Sequence, residues 1–269
     1  MNKHLKHYWD SFKLKKEHAY TLLVDVVFWL LMAISVILFG SLLQKKAEAL
    51  SNGQSPEQLQ QMLLSMQPEQ AQAFLSSLQG LVITFVIGAI IVVVGGLLLF
   101  SLSRKLIWDK LLGHKFDKKK YWRWNLLNLV LIIPLVIYAF VFGLLRLLFG
   151  YLFSLFKSQV ILDAFYNLFN LAALLIFLMF IFLVYYSFSH KYKVWDSIGA
   201  AFGLFKKKTW LMFLWALATA IVLSVVVWPI AYLLRYHSTL LIILNGAISV
   251  LFIIWLRVYL FRTVKGFFE

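Results

Sequence analysis

Six polar side chains inside largely apolar runs fall into two sets by depth. Asp25 lies five residues into the first run, Asn128 four residues past Trp124 at the start of the third, and Arg257 five residues before Arg262 near the end of the sixth. At about 1.5 Å per helical residue these depths agree to within roughly one turn. A carboxylate, a carboxamide and a guanidinium gathered there could bind a polar substrate or a lipid head group, since a charge kept inside a membrane usually has a partner or a task. The matched depths also predict that Asp25 and Arg257 pair between the first and last spans, each offsetting part of the other's desolvation. The plainer alternative is that Arg257 extends to the head groups and Asp25 meets interfacial water. The second candidate set is Thr84, Asn170 and Asn245, which lie twenty residues before Arg104, His190 and Lys265 respectively and so share one level toward the other side. They too are candidate substrate-binding residues, or else polar groups that hydrogen-bond one membrane helix to another.

Little else in the chain could do chemistry. There is no Cys, which removes disulfides, thiolate metal sites and a thiol nucleophile. The six His are scattered, and no H-E-x-x-H, G-x-S-x-G or G-x-x-x-x-G-K-[ST] pattern occurs, so no metal and no cofactor are expected. Asp25 is the only carboxylate embedded in a span. An enzyme acting on a lipid head group at the cytoplasmic face is therefore the alternative reading, resting on one carboxylate without a base partner. The main expectation is an integral membrane protein that handles a lipid or small solute without catalysis, or supports partner proteins.

The elements that position these residues follow from composition. Of 269 residues, 62% are hydrophobic and 17% aromatic, well above the roughly 45–50% apolar content of soluble domains, and the mean hydropathy is +0.85. Six stretches are long and apolar enough to cross about 30 Å of hydrocarbon: 20–43, 81–102, 126–148, 168–188, 210–234 and 240–260. Each must be helical, because unpaired backbone groups are too costly in lipid. The fold class is thus all-α, a polytopic membrane protein with six transmembrane helices in a single membrane domain over 1–269. The first run follows a basic lead, has full span length and lacks a small-residue cleavage site, so it is expected to stay as an anchor.

Net charge is +15, and the cations cluster. Lys3, Lys6, Lys13, Lys15 and Lys16 precede the first span, eight Lys and Arg lie between Arg104 and Arg123, and Lys191, Lys193, Lys206, Lys207 and Lys208 precede the fifth span. The opposite connections hold few. This distribution places both termini in the cytoplasm, in what is expected to be a prokaryotic plasma membrane. The cations face anionic lipid head groups there, and nucleic acid is excluded as a partner because spanning helices leave no free basic face for it.

The pair Trp-Asp occurs three times, in "YWDSFKLKKEHAY" from Tyr8, "IWDKLLGHKFDKKKYW" from Ile107 and "VWDSIGAAFGLFKKKTW" from Val194. Each copy precedes lysines, an aromatic residue and a span, and carries apolar residues at helical spacing. Each therefore predicts a short amphipathic helix in the cytoplasmic interface, with Trp9, Trp108, Trp195, Lys206, Lys207 and Lys208 contacting lipid. Asp10, Asp109 and Asp196 would occupy first turns, where a carboxylate complements the helix dipole. Gly199 and Gly203 form a small-xxx-small pair suited to close packing. Similar span ends, "SLLQ", "GLLR" and "YLLR", extend the match to three tandem hairpin repeats with bounds 1–105, 106–193 and 194–269. The amphipathic segment before a span, here "WDSIGAAFGLFKKKTW", resembles that of prokaryotic six-helix membrane domains of unknown function, including the membrane domain attached to some glycerophosphodiester phosphodiesterases. The resemblance implies a six-helix fold and no specific activity.

Residues 45–80 differ in composition, being rich in Gln, Ser, Glu and Ala. "SPEQLQQMLLSM" and "QPEQAQAFLSSL" each place Pro then Glu at a helix start. Two short helices are expected to form an extracytoplasmic cap, either packed on its own spans or docking a protein partner. In a chain without native thiols, a Cys introduced at Gly53 should react with an impermeant maleimide applied from outside intact cells. Reaction only after permeabilisation would reverse the orientation.

Overall fold

The computed structural model describes residues 3–13, 16–51, 58, 60, 61, 65, 67–155, 158–207, 209–234 and 238–268. Among these the regular elements are all helical: α1 (Lys3–Ser11), α2 (Lys16–Ser51), α3 (Pro68–Leu112), α4 (Lys118–Ser154), α5 (Gln159–Lys191), α6 (Val194–Lys207), α7 (Thr209–Leu233) and α8 (Ser238–Phe268). Six are long and apolar enough to cross a membrane, namely His18–Ser51, Pro68–Leu112, Lys118–Ser154, Ile161–Lys191, Trp210–Val227 and Thr239–Lys265. They contain the six expected spans, the fifth being that of α7, which runs to Leu233. Rows of bare Val, Ile, Leu and Phe, such as Val82, Ile83, Phe85, Val86 and Ile87, would be untenable in water and are expected where lipid is the solvent.

The chain divides into two compact units, Val24–Ser103 and Met1–Leu23 with Arg104–Glu269. Within the first of these, α2 and α3 run antiparallel. Phe28 meets Phe100 with ring centroids 5.6 Å apart, and Phe39 meets Phe85 at 6.3 Å. Along the pair, long side chains of α2 reach over glycines of α3: a Cβ on Gly88 would enter the Phe39 ring, and one on Gly96 would meet the Met32 methyl. Small residues permit this approach because packing, and not water exclusion, holds helices together in lipid.

In the larger unit α4 and α5 form a second antiparallel pair, held by stacked rings (Tyr138 on Phe177, Phe142 on Phe169, Phe153 on Phe165) and by the Tyr138 hydroxyl donating to the Ala173 carbonyl at 2.6 Å. α5 also packs on α6, α7 and α8, and α1 packs on α8. The densest core lies toward the basic ends of these helices, where Trp108, Trp124, Leu183, Phe188, Leu256 and Tyr259 are buried.

Several local expectations change. Residues 45–51 continue α2, and the segment from Pro68 opens α3 with Glu69 in its first turn, so it extends a span helix and is not a separate cap helix. Leu59, Met62, Leu63 and Met66 lie outside the described residues. The Trp-Asp segments are separate helices at α1 and α6, but the middle one is the end of the 45-residue α3, where no Gly or Pro stands between Gly96 and Gly113 to separate it from the span. Only Asp196 occupies a first turn. Asp10 and Asp109 fall in last turns, where the dipole disfavours a carboxylate, and each is compensated by a lysine: Lys13 at 2.7 Å from Asp10, and Lys105 on Asp109. On α6 the packing residues are Ser197 and Ala201, both fully buried, while a Cβ at Gly199 or Gly203 would meet nothing within 4 Å.

The glycine contacts give a direct check on the α2/α3 pair. Gly88→Val should lower the thermal stability of the detergent-solubilised protein by about 1–3 kcal/mol through overpacking, whereas Gly95→Ala, where nothing lies within 4 Å, should be neutral or stabilising by up to about 1 kcal/mol.

Candidate functional site

Two polar regions lie at opposite ends of α5 within the larger unit. At the basic end, Tyr185 donates from its buried hydroxyl to Oδ1 of Asn128 at 2.8 Å, and its ring packs on Trp124. The charges of Arg104 and Arg257 both act on that hydroxyl. Arg257 is 2% exposed and lies over the Phe182 ring at 5.6 Å, a cation–π contact made after full desolvation. One α-helical turn pairs the buried Lys105 ammonium with Asp109. Of the first candidate set, Asn128 and Arg257 are thus gathered around Tyr185. Asp25 is buried but belongs to the Val24–Ser103 unit.

Tyr185, Arg104, Lys105 and Asp109 were not candidates from the sequence. Arg104 and Lys105 read as part of a solvated basic connection, yet α3 carries them inward as its last turns join the core of the larger unit. Trp108, expected at the lipid interface, is only 2% exposed and meets Tyr185, Tyr186 and Phe261 edge-on. Trp9 and Trp195 are 60% and 70% exposed, as an interface position requires. Lys206 and Lys207 fall in the last turn of α6, and Lys208 lies outside the described residues.

At the other end, α5, α7 and α8 leave two adjoining grooves. One, of about 710 Å³, is lined by Asn167, Asn170, Leu171, Leu174 and Ser224; the other, of about 380 Å³, by Leu171, Leu174, Leu178, Ser224, Asn245 and Phe252 among others. Both lie in the size range of small-molecule sites. The shared Leu171, Leu174 and Ser224 make them continuous, so Asn170 and Asn245 of the second set line one surface. Thr84 is in the other unit, and its hydroxyl donates to Gly80 of its own helix at 2.7 Å. Ser224 is likewise satisfied by Ala220 at 2.8 Å. Among the described residues, no hydrogen bond engages the carboxamides of Asn167, Asn170 or Asn245. Asn167 was not singled out from the sequence, although its place one turn from Asn170 on α5 is the signal that would have found it.

A third groove of about 360 Å³ is almost wholly apolar, lined by Pro134, Tyr138, Phe177, Phe180 and Phe202, with α6 supplying Phe202. Nothing in it orients a ligand. Among the described residues, no three His, Asp or Glu gather as a metal site would need.

The turn from α5 into α6 fixes the α6 wall. Tyr192 caps α5 in the left-handed region at φ 52°, donates its N–H to Phe188 at 2.7 Å and accepts from Arg123 at 3.4 Å, while Lys120 lies 4.4 Å over its ring. No family model matches the chain, and comparison with curated proteins and with solved structures finds no match either.

Burial, and then the nearby Asp109 and Asp117 carboxylates, push the Tyr192 phenol from its usual 10.0 up to about 12. A raised phenol favours the folded state while neutral, so its contribution is complete below pH 10 and is lost as pH rises toward 12. Tyr192→Phe should therefore flatten the alkaline limb of a stability-versus-pH profile relative to the native chain; coincident limbs would show that Tyr192 does not contribute to it.

Proposed function

We propose that this chain is an integral membrane protein that holds a lipid without chemically altering it, in the groove between α5, α7 and α8. The observation that carries the reading is the juxtaposition of unengaged carboxamides, Asn167, Asn170 and Asn245, with a continuous apolar surface formed by Leu171, Leu174, Leu178 and Phe252. An amphiphile has that distribution of polarity. A polar solute would leave the apolar surface unmatched, and a bare acyl chain would leave the amides unsatisfied.

The orientation proposed with it puts both termini and the basic ends of the helices at the cytoplasmic face of a prokaryotic plasma membrane, where Trp9 and Trp195 contact lipid and the lysines contact anionic head groups. Within that orientation α1 and α6 are interfacial helices. α6 is drawn against α5, since Phe202 meets Phe180 with centroids 4.8 Å apart. The three hairpins α2/α3, α4/α5 and α7/α8 are proposed as divergent repeats, supported by the recurring Trp-Asp pairs. The groove then opens to the opposite leaflet, and docking of a protein partner by residues 45–80 remains part of the proposal.

Protein purified from its membrane in mild detergent should carry a lipid that native mass spectrometry detects and that leaves on harsher exchange. Its chemical structure should match the lipid extracted from the same membrane. Release of a cleaved or modified lipid on incubation would instead favour an enzyme, and complete absence of bound lipid under conditions that preserve the fold would refute lipid holding.

A further inference from the structure

The chemistry of the groove narrows the lipid, and the argument rests on the lipid-holding reading above. Each Asn carboxamide offers one acceptor oxygen and two donor hydrogens, so a ligand that satisfies it must both donate and accept. A phosphodiester only accepts. Its charge also calls for a cation, and among the described residues no Lys or Arg lines either groove. At the same end of the unit, Arg146 lies over the Tyr166 ring at 5.2 Å, and both residues line a different groove. Among common membrane amphiphiles, a hydroxy-ester fits this demand: its hydroxyl donates to Oδ1, and its ester carbonyls accept from Nδ2.

Depth agrees with the chemistry. Asn170 lies twenty residues before His190, and Asn245 twenty before Lys265, or about 30 Å along each helix, which matches the thickness of the hydrocarbon layer. The amides therefore stand at the level of the glycerol and ester groups in the leaflet away from the basic ends. Beyond Ser249 toward those basic ends the lining turns apolar, through Leu174 and Leu178 on α5 and Phe252 and Ile253 on α8. Acyl chains lie in that direction.

We propose that the groove binds an uncharged glyceride of the diacylglycerol type, with its hydroxyl and esters on Asn167, Asn170 and Asn245 and an acyl chain along Leu178 and Phe252. A second protein helix fits less well, because the carboxamides are confined to one end of the groove while the lining beyond Ser224 and Ser249 is open and apolar.

The test uses the full chain, freed of co-purified lipid and titrated in mild detergent with dioleoylglycerol or with dioleoylphosphatidylglycerol, which differ only in the head. Native mass spectrometry should show the neutral lipid retained roughly tenfold more strongly. Asn170→Leu and Asn245→Leu should each weaken its retention roughly threefold, the scale of one intramembrane hydrogen bond, with no loss of thermal stability. If leucine overfills the site, Asn170→Ala and Asn245→Ala give the same readout. Equal or stronger retention of the anionic lipid, with the same sensitivity to substitution, overturns the neutral assignment and leaves lipid holding intact. Failure to retain either lipid, or retention indifferent to all four substitutions, overturns both. A dimer that the substitutions dissociate overturns the glyceride assignment in favour of a second copy of this chain.

Discussion

Hydrocarbon offers no hydrogen bonds, and most of the structure follows from meeting that lack internally. Helices satisfy the backbone. Six small hydroxyl side chains are satisfied in the same way, by donating to a carbonyl one turn back in their own helix: Ser35 to Leu31, Thr84 to Gly80, Ser189 to Tyr185, Thr219 to Trp215, Ser224 to Ala220 and Thr263 to Tyr259. Because Thr219 gives its proton to Trp215, it can only accept from Tyr8, whose hydroxyl is 2.9 Å away. That bond, with the rings of Trp215, Trp255 and Tyr259 around Tyr8, ties α1 to α7 and α8. A carboxamide has too many donors to be satisfied by one carbonyl. Asn128 finds Tyr185, whereas the exposed groove asparagines have no such partner among the described residues, which is why the proposal is built on them.

The same constraint explains the basic end. Moving an ammonium into low dielectric costs several kcal/mol, which Asp109 offsets for Lys105 only while both remain ionised and in contact. Removing one member of such a pair typically costs about 3–5 kcal/mol, because it leaves a buried charge behind. The pair therefore fixes the conformation of the last turns of α3 more than it adds net stability. Once those turns are fixed, Trp108 is committed to the core. Its edge-on contacts with Tyr185, Tyr186 and Phe261 connect α3 to α5 and α8.

Periodicity and span length made the six membrane helices readable from the sequence, and equal spacing from the basic residues brought out Asn170 and Asn245. The burial of Trp108 was not readable in that way. Its local pattern is the same as that of Trp195, and the difference lies in what precedes each. Tyr192 turns the chain in a left-handed conformation before Trp195, whereas the residues before Trp108 simply continue a helix. A Tyr in that conformation carries no mark in the sequence, unlike the Gly that usually fills it. Gly199 and Gly203 misled for a related reason. Small residues permit close packing without requiring it, and the rotation of α6 about its axis, which selects Ser197 and Ala201, is set by the turn and by Phe202 against Phe180.

α5 is the element on which both polar regions depend, since it packs against α4, α6, α7 and α8. Asn170 and Tyr185 are fifteen residues apart on it, about 22 Å along the axis, with Leu174, Leu178 and the buried Phe182 between them. A lipid head engaging Asn170 therefore cannot also reach the Tyr185 hydroxyl, and no chain of hydrogen-bonding side chains joins the two along the helix. What connects them is the rigid helix and its packing. The polar core at the basic end holds α4, α5 and α8 in register around Tyr185, and that register determines how widely α5 and α8 stand apart at the groove. Under the lipid-holding proposal, the core residues would act on a bound lipid only through this spacing, and the asparagines would supply the contact.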